Sequence, residues 1–147
     1  MYKKILVTTD GTKLSKKAII HAMRLAQLSQ AELLILKVIP VMIQTYFDEG
    51  IVLRQNEIER IEKSWQDDAH SVVDKFCAMA TKLHINAKPI VYKSDVIYRG
   101  ILDIADDNKV DLIVMSSHGR QGIKKFLLGS ETQNVLVHTS IPVLILR

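Results

Sequence analysis

Cysteine, aromatic residues, proline and long apolar runs are all scarce in this sequence, and each scarcity removes a class of function. One cysteine, Cys77, stands among 147 residues, which excludes an internal disulfide and a cysteine-held metal cluster. Cys77 falls inside a helical apolar pattern, the setting of a small core residue rather than of a reactive thiol. No stretch approaches the roughly 20 consecutive apolar residues that a membrane-crossing helix requires, so no membrane partner is expected. The N-terminal Lys3-Lys4-Ile5-Leu6-Val7 opens like a signal peptide, but the run breaks at Thr8-Thr9-Asp10, too early for a secretory apolar core. A soluble, cytoplasmic protein is the expectation. The P-loop pattern G-x-x-x-x-G-K-[ST] is absent, which removes that class of nucleotide hydrolase. A concentrated basic face is missing too. The net charge is +4, but Lys and Arg are scattered apart from Lys13, Lys16 and Lys17 and the group Arg120, Lys124 and Lys125. Nucleic acid is therefore not an expected partner.

What the chain does have is regular alternation. Five apolar runs recur: Ile5 to Val7, Leu33 to Ile39, Pro89 to Val91, Val110 to Met115 and Ile141 to Leu146. The second, fourth and fifth are nearly continuous, as in strands buried on both faces of a parallel sheet. Helical spacing fills the gaps. Leu14, Ala18, Ile19, Ala22, Leu25 and Ala26 form one stripe, and Ile97, Ile101, Leu102 and Ala105 another. Between them Ile58, Ile61, Trp65, Ala69, Val72, Phe76, Ala80 and Leu83 make an amphipathic stripe of about seven turns, read as core packing with no ligand role for Trp65. A last helix opens at Ser130, with Gln133 three residues on in capping-box spacing. Pro40 to Glu57 lacks periodicity and reads as a long loop, either a lid or a plain connector.

Strand–helix alternation repeated four times implies parallel strands with right-handed crossovers. A closed barrel of eight units needs about 250 residues, so 147 residues point to an open, doubly wound five-stranded sheet in a single domain spanning 1–147. Ligands in such sheets sit beyond the carboxyl ends of the strands, where the winding reverses. Two strand ends are polar and permissive: Thr8-Thr9-Asp10-Gly11-Thr12 and Ser116-Ser117-His118-Gly119-Arg120. They become neighbours if the strand order is 3-2-1-4-5, with helices on both faces. Gly129-Ser130-Glu131-Thr132 opens the last helix, where free amides and the helix dipole attract phosphate.

The segment from Val114 to Ser130 resembles the universal stress protein family. Gly119, nine intervening residues, Gly129 and Ser130 match the end of the family's glycine motif, in which two further residues and a first glycine precede. Ser116 stands where that first glycine would be. Serine keeps the backbone path if φ is negative there, and reshapes the loop if φ is positive. The closing Ile141-Pro142-Val143-Leu144-Ile145, the strand end at Asp10 and Leu36-Lys37-Val38 are also similar to the family pattern. The resemblance implies the adenine nucleotide alpha hydrolase-like fold and a stress-response protein that binds ATP or a related adenine nucleotide, with or without Mg²⁺. It implies that Thr8, Thr9 and Asp10 contact the adenosine end, Val38 meets adenine through its backbone and Met115 packs on the nucleoside. Ser116, His118, Gly119, Gly129, Ser130, Glu131 and Thr132 would surround the phosphates. It further implies a homodimer through Ile141 to Leu146, and at most slow hydrolysis. The rival readings are a nucleotide-free interaction dimer of the same fold, a slow or self-phosphorylating hydrolase, and a flavin protein, which has few aromatics at its strand ends to flank a ring.

Overall fold

A computed structural model describes residues 1–41, 54–118 and 128–147. Along those residues the elements run β1 (Lys4–Thr8), α1 (Lys13–Ser29), β2 (Glu32–Ile39), α2 (Gln55–Lys82), β3 (Ala87–Lys93), α3 (Ile97–Asp107), β4 (Leu112–Ser116), α4 (Ser130–His138) and β5 (Val143–Leu146). The strands form one parallel sheet in the order β3-β2-β1-β4-β5, which is the order that the polar strand ends suggested. The run expected from Ile141 shortens to a strand beginning at Val143. The Ile141 amide instead donates to Thr139 Oγ1 at 3.0 Å, closing a turn.

The nearly continuous apolar runs have a direct structural cause. Successive side chains of a strand point to opposite faces, and here both faces are covered. Ile5, Val7, Leu33, Ile35, Leu112 and Val114 meet Ala18, Ile19 and Ala22 of α1 and Val73, Phe76, Cys77 and Ala80 of α2. Leu6, Leu34, Leu36, Ile113 and Met115 point the other way, onto Ile101, Ile104 and Ala105 of α3 and Val135 of α4. Each large side chain buried in this way contributes about 1.5–3 kcal/mol of transfer free energy. Cys77 lies in the first of these clusters, and burial, with the nearby Asp74 adding to it, pushes its thiol up to about 11.

The stripe read along α2 is corrected at both ends. Its buried residues are Ala69, Val73, Phe76, Cys77 and Ala80, whereas Leu83 is 47% exposed and Trp65 is not buried. Length explains this. A helix of 28 residues extends about 42 Å, whereas the 8 residues of β2 extend about 27 Å. The helix runs antiparallel to the strands, so the excess of about 15 Å carries part of its first half past their carboxyl ends, while Leu83 is the C-cap residue beyond its last turn.

The opposite end of the sheet is closed by polar contacts. The Asp111 carboxylate accepts from the backbone amides of Lys3 at 2.7 Å and Lys4 at 3.1 Å. Glu32 pairs with Lys88 and, at 3.2 Å, with Lys4. The Lys88 ammonium holds the Glu32 carboxyl below its usual range, partial burial opposes this, and Lys4 adds to it. That leaves the carboxyl ends of the strands as the open end.

Candidate functional site

The chain leaves β1 and β4 toward opposite faces of the sheet, so a crevice opens between their carboxyl ends. A cavity of about 650 Å³ occupies that end. Its walls are Thr8, Thr9 and Asp10 after β1; Lys37, Val38, Ile39 and Pro40 after β2; Met115, Ser116 and His118 after β4; Ile97 and Ile101 of α3; Glu131 and Thr132 of α4; and Trp65 and Asp68 from the overhanging half of α2.

The turn after β1 is fixed from within. Gly11 takes φ 85°, a conformation glycine adopts without steric penalty. Its amide donates to Thr9 Oγ1 at 3.1 Å, and Thr9 Oγ1 also lies 3.0 Å from Ser15 Oγ. Asp10 Oδ1 accepts from the Thr12 amide at 2.9 Å and the Thr12 hydroxyl at 2.6 Å. Thr12 in turn caps α1 by accepting from the Ser15 amide at 3.2 Å. The Asp10 carboxylate is therefore oriented before any ligand arrives, while the Thr9 hydroxyl is engaged inside the turn.

The end of β4 is tied to the start of α4. The Ser117 amide donates to Leu146 O at 2.8 Å, the Gly129 amide to Ser117 O at 2.7 Å, and the Thr132 hydroxyl to Ser116 O at 3.1 Å. Ser116 Oγ donates to His118 O at 3.2 Å. The non-glycine residues with positive φ among the described residues are Gln30, His84 and Lys109. Ser116 thus keeps the backbone path without left-handed strain.

The capping box expected at Ser130 does not form. Gly129 is the N-cap, with no side-chain cap, and the Gln133 side chain donates to Leu128 O at 3.0 Å. Thr132 lies buried against Ser116, so its hydroxyl braces the two elements. Helix geometry still leaves the first amides of α4 without intrahelical acceptors.

Of the residues singled out in the sequence, Thr8, Thr9, Asp10, Val38, Met115, Ser116, His118, Glu131 and Thr132 are brought together in one cavity wall. Gly129 and Ser130 stand next to it without lining it, and the Gly129 amide is engaged by Ser117. Gly119, Arg120, Lys124 and Lys125, like most of the loop from Pro40 to Glu57, lie outside the described residues. Sequence reasoning missed Trp65 and Asp68, because a helical stripe carries no mark of where the sheet beneath it ends. It also passed over Lys37, a charge interrupting the apolar run of β2 that was a legible signal. Ile97 and Ile101 were read as core; Ile101 is 3% exposed and serves both core and cavity wall.

Comparison with known proteins decides the family. A profile of the universal stress protein family matches residues 1–147. The chain belongs to the universal stress protein family. Universal stress protein MJ0577 of Methanocaldococcus jannaschii is 30% identical over 163 aligned residues, covering 100% of this chain and 96% of that one. Universal stress protein YxiE of Bacillus subtilis is 32% identical over 149 residues, covering 100% of both. The solved structure of MJ0577 is similar with a TM-score of 0.83 at 27% identity, over 99% of this chain and 96% of the other. The same fold is found in a universal stress protein in complex with cAMP, at TM-score 0.73, 22% identity and coverage of 99% and 97%. An Archaeoglobus fulgidus member in complex with dAMP shares it at TM-score 0.65, 17% identity and coverage of 99% and 98%.

Proposed function

We propose that this universal stress protein binds ATP or a related adenine nucleotide in the cavity at the β1/β4 crevice, and acts in the cytoplasm as a regulatory or protective protein of the stress response. The observation that carries this reading is one enclosure. The switch-point cavity is lined both by apolar Val38, Ile97, Ile101 and Met115 and by polar Ser116, His118 and the first turn of α4. An apolar wall suits a purine and ribose, and a helix N-terminus suits a phosphate. Thr8, Thr9 and Asp10 take the adenosine end, Val38 the adenine through its backbone and Met115 the nucleoside. Ser116 and His118 face the phosphates together with the amides of Ser130, Glu131 and Thr132 at the start of α4. The cAMP and dAMP complexes of relatives support an adenine ligand in this family.

A nucleotide that binds only the folded state stabilises it by RT ln(1 + [L]/Kd), about 2.7 kcal/mol at a hundredfold excess over Kd. At about 2–4 °C per kcal/mol for a domain of this size, the melting temperature rises by about 5–11 °C. The measurement is a thermal scan with millimolar ATP, ADP and AMP, with and without Mg²⁺, beside mass spectrometry of small molecules released from the denatured, purified protein. No shift with any of them, and no adenine compound released, sinks the reading.

A further inference from the structure

We infer that the Trp65 indole stacks on the base of the bound nucleotide and makes α2 the wall that selects a purine, an inference that rests on the nucleotide reading above. Trp65 is the chain's single tryptophan. Among the described lining residues it is the one Phe, Tyr or Trp side chain. Its spacing matches the core stripe of α2, but the buried residues of that helix begin at Ala69, one turn further on. Lys93, the last residue of β3, pairs with Glu62 at 3.5 Å, which holds the turn before Trp65 level with the carboxyl end of the sheet. Trp65 therefore continues the apolar stripe where the strands give out, half-buried and on the cavity wall. Partial exposure is what a stacking platform requires, because a fully buried indole has no face left to offer.

Topology decides which end of a nucleotide reaches this indole. The helix packs on β2 and β3, so Trp65 shares the β2 side of the cavity with Val38, Ile39 and Pro40, whereas Ser116, His118 and the opening of α4 belong to the β4 side. β1 lies between them, and two strand spacings separate the sides by about 10 Å. An elongated ligand with one anionic and one flat end spans that distance. The first amides of α4 favour the anionic end, which leaves the flat end to the β2 side. Aromatic faces recognise one another by offset stacking, and a nucleobase presents such a face. A purine lays two fused rings on the indole and a pyrimidine one, so dispersion contact favours the purine.

Fluorescence and isothermal titration of the full chain test this with ATP, AMP, CTP and tripolyphosphate. The proteins are the wild type, Trp65→Phe and Trp65→Ala, with thermal melts to confirm that each variant is folded. A stacked base quenches the single indole, so ATP lowers wild-type emission with a midpoint equal to its calorimetric Kd, and tripolyphosphate leaves the emission unchanged. Trp65→Ala weakens ATP by about tenfold or more, whereas Trp65→Phe, which keeps a ring, weakens it by less than about threefold. The loss is the same for AMP, which carries the same base, and the preference for ATP over CTP falls by about threefold or more in Trp65→Ala. ATP affinities equal in all three proteins, a loss as large in Trp65→Phe as in Trp65→Ala, or an unchanged preference over CTP overturns the inference and leaves nucleotide binding intact. Emission that ATP leaves unchanged, or that tripolyphosphate lowers equally, does the same. Absence of binding by ATP and by AMP to the wild type overturns the nucleotide reading, and this inference with it.

Discussion

A Cβ added at Gly100 would stand 2.9 Å from Ser94 Cβ, 3.1 Å from Val38 Cγ1 and 3.2 Å from Tyr92 Cδ1. Those atoms belong to the carboxyl ends of β2 and β3 and the turn that follows, so this one missing methyl sets how closely α3 lies on the sheet. Helix propensity alone favours alanine over glycine by about 0.8–1.0 kcal/mol, whereas overpacking costs about 1–3 kcal/mol. Packing wins here, because Ser94 Cβ is fixed to its own backbone and cannot rotate away. Gly100→Ala is therefore expected to destabilise the fold by about 1–2 kcal/mol, read as a lower urea midpoint at unchanged slope. It should also weaken nucleotide binding, since Val38, Ile97 and Ile101 frame the cavity. A midpoint equal to or above that of the wild type would show that backbone propensity governs this position. In the sequence Gly100 is only a weak residue in an apolar helix; its role depends on Ser94 and Tyr92, which the fold alone brings to it.

The helices α1, α2 and α3 end in the same manner. Gln30, His84 and Lys109 take φ of 54°, 58° and 54°, and the next residues, Ala31, Ile85 and Val110, are buried. Their amides reach back to the carbonyls of Ala26, Ala80 and Ala105 at 2.9, 3.0 and 2.9 Å. This is the Schellman arrangement, with a left-handed residue followed by an apolar anchor, yet none of the three carries glycine. A non-glycine residue there costs about 1–2 kcal/mol in sterics, and glycine would lose about 0.4–1 kcal/mol through the freer unfolded chain. The balance predicts that His84→Gly and Lys109→Gly each stabilise the fold by about 0.5–1 kcal/mol, raising the urea midpoint. A fall in both would mean that the side chains pack usefully where they stand. Missing glycines also explain what is legible at this scale. The existence and order of the elements are readable, because strands covered on both faces become continuous apolar runs. The helix ends are not, because no glycine marks them. Nor is the cap of α4 legible, because Ser130 and Gln133 have capping-box spacing while the chain turns one residue earlier, at Gly129.

For the whole molecule, the polar ends of β1 and β4 are enough to anticipate the strand order and the place of the cavity, because ligand sites in wound sheets follow from topology. The wall from α2 is invisible in the sequence, because it depends on how far one element outruns another. The two edges of the sheet differ in a way the sequence also exposes. The β3 edge carries Lys88, Pro89 and Lys93, charges and a proline that discourage a further strand. The β5 edge is Val-Leu-Ile-Leu, paired among the described residues only with β4 and without such protection. An apolar edge of this kind is exposed to pairing with another strand, and a second copy of the same strand would cover it. The protein is accordingly expected to form a homodimer through Ile141 to Leu146, with about twice the 16.7 kDa chain mass by light scattering at micromolar concentration. Leu144 and Leu146 pack against one core face and Val143 against the other, whereas Ile145, opposite Met115, belongs to neither cluster. Ile145→Lys places a charge on the edge while sparing those three contacts, so it should yield a folded monomer of 16.7 kDa whose melting temperature no longer depends on protein concentration. A wild type that already runs at the single-chain mass, with a melting temperature indifferent to dilution, would leave the β5 edge without its partner.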